Sequence, residues 1–73
     1  MSITDTTIIN ALPTNSIISF VGYEDLNYTV TKKDDGRWEG RYVSANGAEC
    51  ANGLQSAAMV ARELAHATSI TVA

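Results

Sequence analysis

Apolar and polar positions change rhythm along this chain, and each change marks an element. Ile17, Ile18, Phe20 and Val21 form a compact apolar run suited to a buried strand. Gly22 to Asp25 carry the chemistry of a turn. LNYTVTK then alternates, with Leu26, Tyr28 and Val30 on one side and Asn27, Thr29 and Thr31 on the other. Beyond Asp34-Asp35-Gly36 the alternation resumes in RWEGRYV. Trp38 and Tyr42 share one face there, and Arg37, Glu39 and Arg41 share the opposite one.

The register of this hairpin follows from the need to keep large apolar groups together. A three-residue loop, Asp34-Asp35-Gly36, with Gly36 left-handed, pairs Lys33 with Arg37. It then sets Lys32 opposite Trp38, Val30 opposite Gly40 and Tyr28 opposite Tyr42. A two-residue loop would slip the pairing by one and mix the faces. Gly40, facing Val30, leaves room for close packing.

Asn46-Gly47 predicts a second hairpin with a two-residue type I′ turn, pairing Val43 with Cys50 on the side away from Tyr42. Its untidy faces imply a bulge or a very short last strand. In NGLQSAAMVARELAHA, Asn52 and Gln55 resemble a capping box. Leu54, Ala57, Ala58, Ala61, Leu64 and Ala65 make an apolar helical stripe, with Gln55, Arg62, Glu63 and His66 outside it. Ser69 to Val72 read as a closing strand. At the other end, the β-branched residues around Ile8, Ile9 and Leu12 argue against a stable helix, and Pro13 sets a boundary. The chain therefore divides into an N-terminal arm, 1–15, and a single α+β domain, 16–73. That domain is a small antiparallel sheet of three to five strands with one helix packed on one face.

Length and charge narrow the picture. With 73 residues, the chain buries only about 60% of its unfolded surface, so oligomerisation or a partner is an expected supplement. Cys50 is the one cysteine and His66 the one histidine, which leaves no disulfide framework and no cysteine-rich zinc site. No metal or other cofactor is expected. No apolar run approaches the roughly 18 residues of a membrane span. The N-terminus lacks the basic start of a signal peptide, so a cytoplasmic location is expected. A net charge of −3 disfavours binding to phosphate backbones or to anionic membranes.

Catalysis finds little support. Cys50 and His66 are the one nucleophile–base pair by type, and the predicted elements hold them apart. The reading is a small buried hydrophobe for Cys50 and a helix C-terminal partner for His66. The Glu24-Asp25 and Asp34-Asp35 pairs lie in turns, where such residues make local hydrogen bonds. KKDDGRWEGRY, residues 32 to 42, holds four of the five basic residues and the single Trp. Folded in the register above, it presents Lys33, Arg37, Glu39 and Arg41 outward and turns its aromatics toward the helix. Stacking groups and cations thus fall on opposite faces, against the needs of a nucleic-acid site. The candidate partner surfaces are Lys33, Arg37, Glu39 and Arg41 on the hairpin, and Glu24 and Asp25 on the acidic loop.

The segment YTVTKKDDGRWEGRYVSANGAECANGLQSAAMVARELA resembles bacterial and phage hairpin–helix domains of unknown function. In size, acidity and layout the chain is similar to phage-encoded anti-CRISPR proteins. The resemblance implies a non-enzymatic protein-binding module that inhibits a host defence (CRISPR-Cas) complex by steric occlusion. Two other readings stand beside it. One is a nucleic-acid-binding ribbon using Lys32, Lys33, Arg37 and Arg41. The other is a self-assembling structural protein in which the Ile8/Ile9 arm or the Ile70/Val72 strand completes a neighbour's sheet, and a homodimer is compatible with the first reading as well.

Overall fold

The architecture was obtained as a computed structural model describing residues 5–73. It is an α+β fold. Helix α1 (Thr6–Ala11) precedes strand β1 (Ile17–Val21), a 3-10 turn (Tyr23–Asp25), β2 (Asn27–Lys32), β3 (Trp38–Val43) and β4 (Glu49–Gln55). Helix α2 (Ala57–Leu64) and strand β5 (Thr68–Val72) complete it. The five strands form one sheet in the order β4-β3-β2-β1-β5, and each neighbouring pair is antiparallel. Chain direction explains the helix. β1 to β4 form a meander, so β5 can join β1 only after the chain has crossed the whole sheet. Four strand spacings come to about 19 Å, and the eight residues of α2 span about 12 Å of that; the turn after Leu64 supplies the rest.

The first hairpin has the register its alternation predicts. Lys32 faces Trp38, Val30 faces Gly40 and Tyr28 faces Tyr42. Lys33 N–H donates to the Arg37 carbonyl at 2.8 Å, and Gly36 sits at φ 86°. Trp38 and Val30 are buried beneath the helices.

The second hairpin differs by one residue. Ser44 N–H donates to the Ala48 carbonyl at 2.8 Å, so the loop is Ala45-Asn46-Gly47, with Gly47 at φ 87°. Val43 consequently faces Glu49 and Tyr42 faces Cys50. Local polar chemistry holds this loop: the Ser44 hydroxyl bonds to the Asn46 side-chain oxygen, which also accepts from Ala48 N–H at 3.2 Å. The slip carries Cys50 to the half-buried side of β4, beside Tyr42.

β4 is also longer than expected. It runs to Gln55 and absorbs a bulge, Asn52 and Gly53 together facing Gly40, with Gly53 at φ 77°. A Cβ on Gly40 would lie 3.1 Å from both Asn52 Cβ and Gln55 Nε2, so the missing side chain is what lets β4 close over β3. Asn52 therefore does not cap α2. Ser56 does, its hydroxyl accepting from Met59 N–H at 3.2 Å. The later start rotates the apolar stripe. Val60, Ala61 and Leu64 are buried and Ala57 packs against them, whereas Leu54, Ala58 and Ala65 are exposed and Gln55 is buried in the sheet.

The arm is the larger correction. Residues 1–4 lie outside the described residues, but Thr6–Ala11 is helical, contrary to the β-branched reading. Asp5 caps it, accepting from Thr7 N–H at 2.8 Å. Ile9 is fully buried in the cluster with Ile18, Phe20, Val30, Trp38, Val60, Ala61 and Leu64. Burial of an isoleucine side chain contributes about 1.5–3 kcal/mol, more than its modest disadvantage in helix propensity. Lys32 secures the other end of α1, its ammonium donating to the Leu12 carbonyl at 2.6 Å and the Asn10 carbonyl at 2.8 Å.

Candidate functional site

With both helices on one side, the sheet has an outer face that no other described element covers. It carries Thr29 and Thr31, with Lys33, Glu39, Arg41 and Glu49 beside them. The charges on this face engage each other. Glu39 lies 3.8 Å from the Lys33 ammonium and 3.5 Å from the Arg41 guanidinium, which is itself 3.5 Å from Glu49. Arg37 is drawn to the hairpin tip, 2.6 Å from Asp35, which also accepts its backbone N–H at 3.0 Å. The bonds from Arg37 hold the Asp35 carboxyl below its ordinary pKa. These pairs are open to solvent, so they add little to stability and yield to salt. Lys33, Glu39 and Arg41 thus form one mixed-charge patch, and Arg37 stands apart from it. Lys32 points to the helix side and is occupied by α1, so the four cations of the ribbon do not share a face.

The helix side holds a more enclosed feature. α2 and α1 leave part of the sheet uncovered, and a groove of about 330 Å³ opens there. Phe20 and Tyr28 form its floor, with ring centroids 5.4 Å apart and planes within 5° of parallel. Tyr42 extends the aromatic row, 5.6 Å from Tyr28. Gly22 keeps the row close to the backbone, since a Cβ there would sit 3.1 Å from the Tyr28 ring. Asn52 from β4 and Arg62, Glu63 and His66 from α2 and its C-terminal turn complete the walls. Tyr23 lines the opening and is 79% exposed, the highest value among the described large apolar side chains.

The rim is acidic. Burial raises the Glu63 carboxyl above its ordinary pKa, with the Gln55 amide acting in the opposite direction. Tyr28 is also raised, first by burial and then by the Glu63 and Glu24 carboxylates. Glu24 therefore belongs to the electrostatic surroundings of the groove, although it does not line it. The loop that carries it is unusual: Glu24 and Asp25 both have φ 58°, a left-handed conformation uncommon for such residues.

Glu24 and Asp25, a candidate surface in the sequence, lie next to this groove, whereas its aromatic floor was not among the candidates. Tyr28 and Tyr42 read as core because they share a face with Val30 and Trp38. Only the placement of α2 leaves them half-buried. Among the described residues, no helix is long and apolar enough to cross a membrane, and no three acidic, His or Cys side chains cluster as a metal site would need. Comparison with protein-family models, with curated proteins and with solved structures gives no match to this chain.

Proposed function

We propose that this chain is a non-enzymatic protein-binding module whose working surface is the aromatic groove and the acidic loop next to it. The observation that carries this reading is the half-buried Tyr28 ring, stacked on the buried Phe20 at a groove that the exposed Tyr23 also lines. Aromatic side chains offer much contact area at low entropic cost and are enriched at binding hot spots. Glu24 and Asp25 add negative potential that would steer a basic partner surface toward the groove. The strained loop fits such a role, because left-handed non-glycine residues persist where the surroundings over-determine them. The mutual pairing of Lys33, Glu39 and Arg41 makes the outer face the weaker of the two candidate surfaces, and of the remaining candidates Arg37 is held by Asp35 at the hairpin tip.

The narrower form of the reading, steric inhibition of a host defence complex by a phage protein in the host cytoplasm, is supported by the layout resemblance alone. Affinity capture from host lysate tests both forms. The expected result is a stoichiometric protein retained by the wild-type chain and by Arg41→Glu, but lost with Tyr23→Ala. Tyr23 is so exposed that its removal leaves the fold intact. Capture of no protein, or of one insensitive to Tyr23, would sink the proposal. A mobility shift of DNA or RNA that fades steeply with salt would instead favour the nucleic-acid ribbon.

A further inference from the structure

The two edges of the sheet are not alike. β4 is guarded by Glu49, charged and exposed, and by the Asn52–Gly53 bulge, which twists the strand and interrupts its ladder. β5, Thr68–Val72, has no charged residue and no proline along its length. Its own irregularity, at Ser69 and Ile70 opposite Phe20, leaves Thr71 to Ala73 in regular register with β1.

Hydrogen-bond alternation shows which backbone groups this edge presents. Ile17 and Ala73 exchange both bonds, at 2.9 and 2.8 Å. Thr71, two residues away and opposite Ser19, is then the next fully bonded position. The Val72 N–H and C=O and the Ile70 C=O therefore point away from β1, on a side where no described strand pairs with β5. Val72 is 47% exposed, and Ile70 is packed on the core from one side only.

We infer that β5 is a self-association edge, pairing antiparallel with β5 of a second copy of this chain across a two-fold axis at Thr71. This inference goes beyond the groove reading and does not depend on it. In the pairing each Val72 N–H donates to the partner's Ile70 carbonyl, and Ile70 and Val72 of the two copies meet as β-branched cross-strand pairs on the helix side. The Thr71 side chains meet on the outer face. A second copy suits this edge because the pairing is reciprocal, with every donor matched by its symmetry mate. The strand is also uncharged, so two chains of net charge −3 meet where neither carries its charge. A closed two-fold dimer is the commonest outcome of such an isologous contact.

Sedimentation equilibrium of the whole chain tests the inference, run from about 10 µM to about 1 mM because a contact this short responds to mass action. The weight-average mass is expected to rise toward twice the monomer value, and Val72→Lys is expected to stay monomeric over the same range. The Val72 amide of the wild-type chain should exchange with solvent at least tenfold more slowly at the high concentration than at the low. A monomer mass throughout would overturn the proposal. So would a dimer that survives Val72→Lys while the Val72 amide exchanges at the same rate at both concentrations. Should the lysine variant fail to fold, the wild-type amide measurement decides.

Discussion

Trp38 and Gln55 face each other across β3 and β4, one with a buried indole N–H and the other with a buried amide oxygen, and neither group has a hydrogen-bond partner. A buried polar atom left unpaired costs about 1–3 kcal/mol. Replacing Gln55 by Met keeps the length of the side chain and removes that cost, against the loss of the amide's effect on Glu63. Urea unfolding at neutral pH should find Gln55→Met at least as stable as the wild type. Gln55→Ala, which empties the same space, should be less stable by about 1–3 kcal/mol.

Lys32 binds α1 to the sheet through two carbonyls that the short helix cannot satisfy itself. Lys32→Met retains the aliphatic stem but not the donors. A loss of about 1.5–3 kcal/mol is expected from bonds to a charged donor, read as a lower urea midpoint with unchanged slope. A change below about 0.5 kcal/mol would mean that water replaces the ammonium without penalty.

Gly40 and Gly36 separate two reasons for glycine. A Cβ at Gly40 meets Asn52 and Gln55, whereas Gly36 has open space around it but a φ of 86°. Gly40→Ala should cost about 1–3 kcal/mol through overpacking and should alter Trp38 fluorescence as Gln55 is displaced. Gly36→Ala should cost about 1–2 kcal/mol through backbone strain and leave the Trp38 signal as it is.

The raised pKa of Glu63 has a defined sign in stability. Its folded form holds a proton at pH values where the unfolded form has lost it, so folding is favoured as pH falls through the raised value and is penalised above it. Glu63→Gln removes the buried charge. The variant should be more stable than the wild type at neutral pH, with the difference closing below the ordinary glutamate range. Urea midpoints measured at several pH values check this. A difference that does not change with pH would assign the effect to packing.

How much was legible depended on whether local sequence or distant packing decided each feature. Trp38, Tyr28, Tyr42 and Val30 are large enough that a single register keeps them together, so the first hairpin followed from alternation. Ala48, Cys50 and Ala51 are too small to impose a register, and the bonds among Ser44, Asn46 and Ala48 decided the second loop. The helix at Thr6–Ala11 goes against its propensity because Ile9 gains a place in the core; Asp5 was the local signal for it. The groove draws on β1, the Tyr23–Asp25 turn, β2, β4 and α2, and no stretch of sequence contains it.

The crossing of α2 has a consequence for the order of assembly. β1 to β4 are joined by short connections and can zip together from their turns, but Ser19 and Thr71 are roughly fifty positions apart and meet only when α2 is laid down. Until then β1, with Ile17, Ile18, Phe20 and Val21, is itself an open and apolar edge. A folding chain thus passes through a stage in which its most adhesive strand waits for its last one. Anything that slows α2, such as loss of the Ser56 cap, lengthens that exposure and invites aggregation before it weakens the finished fold.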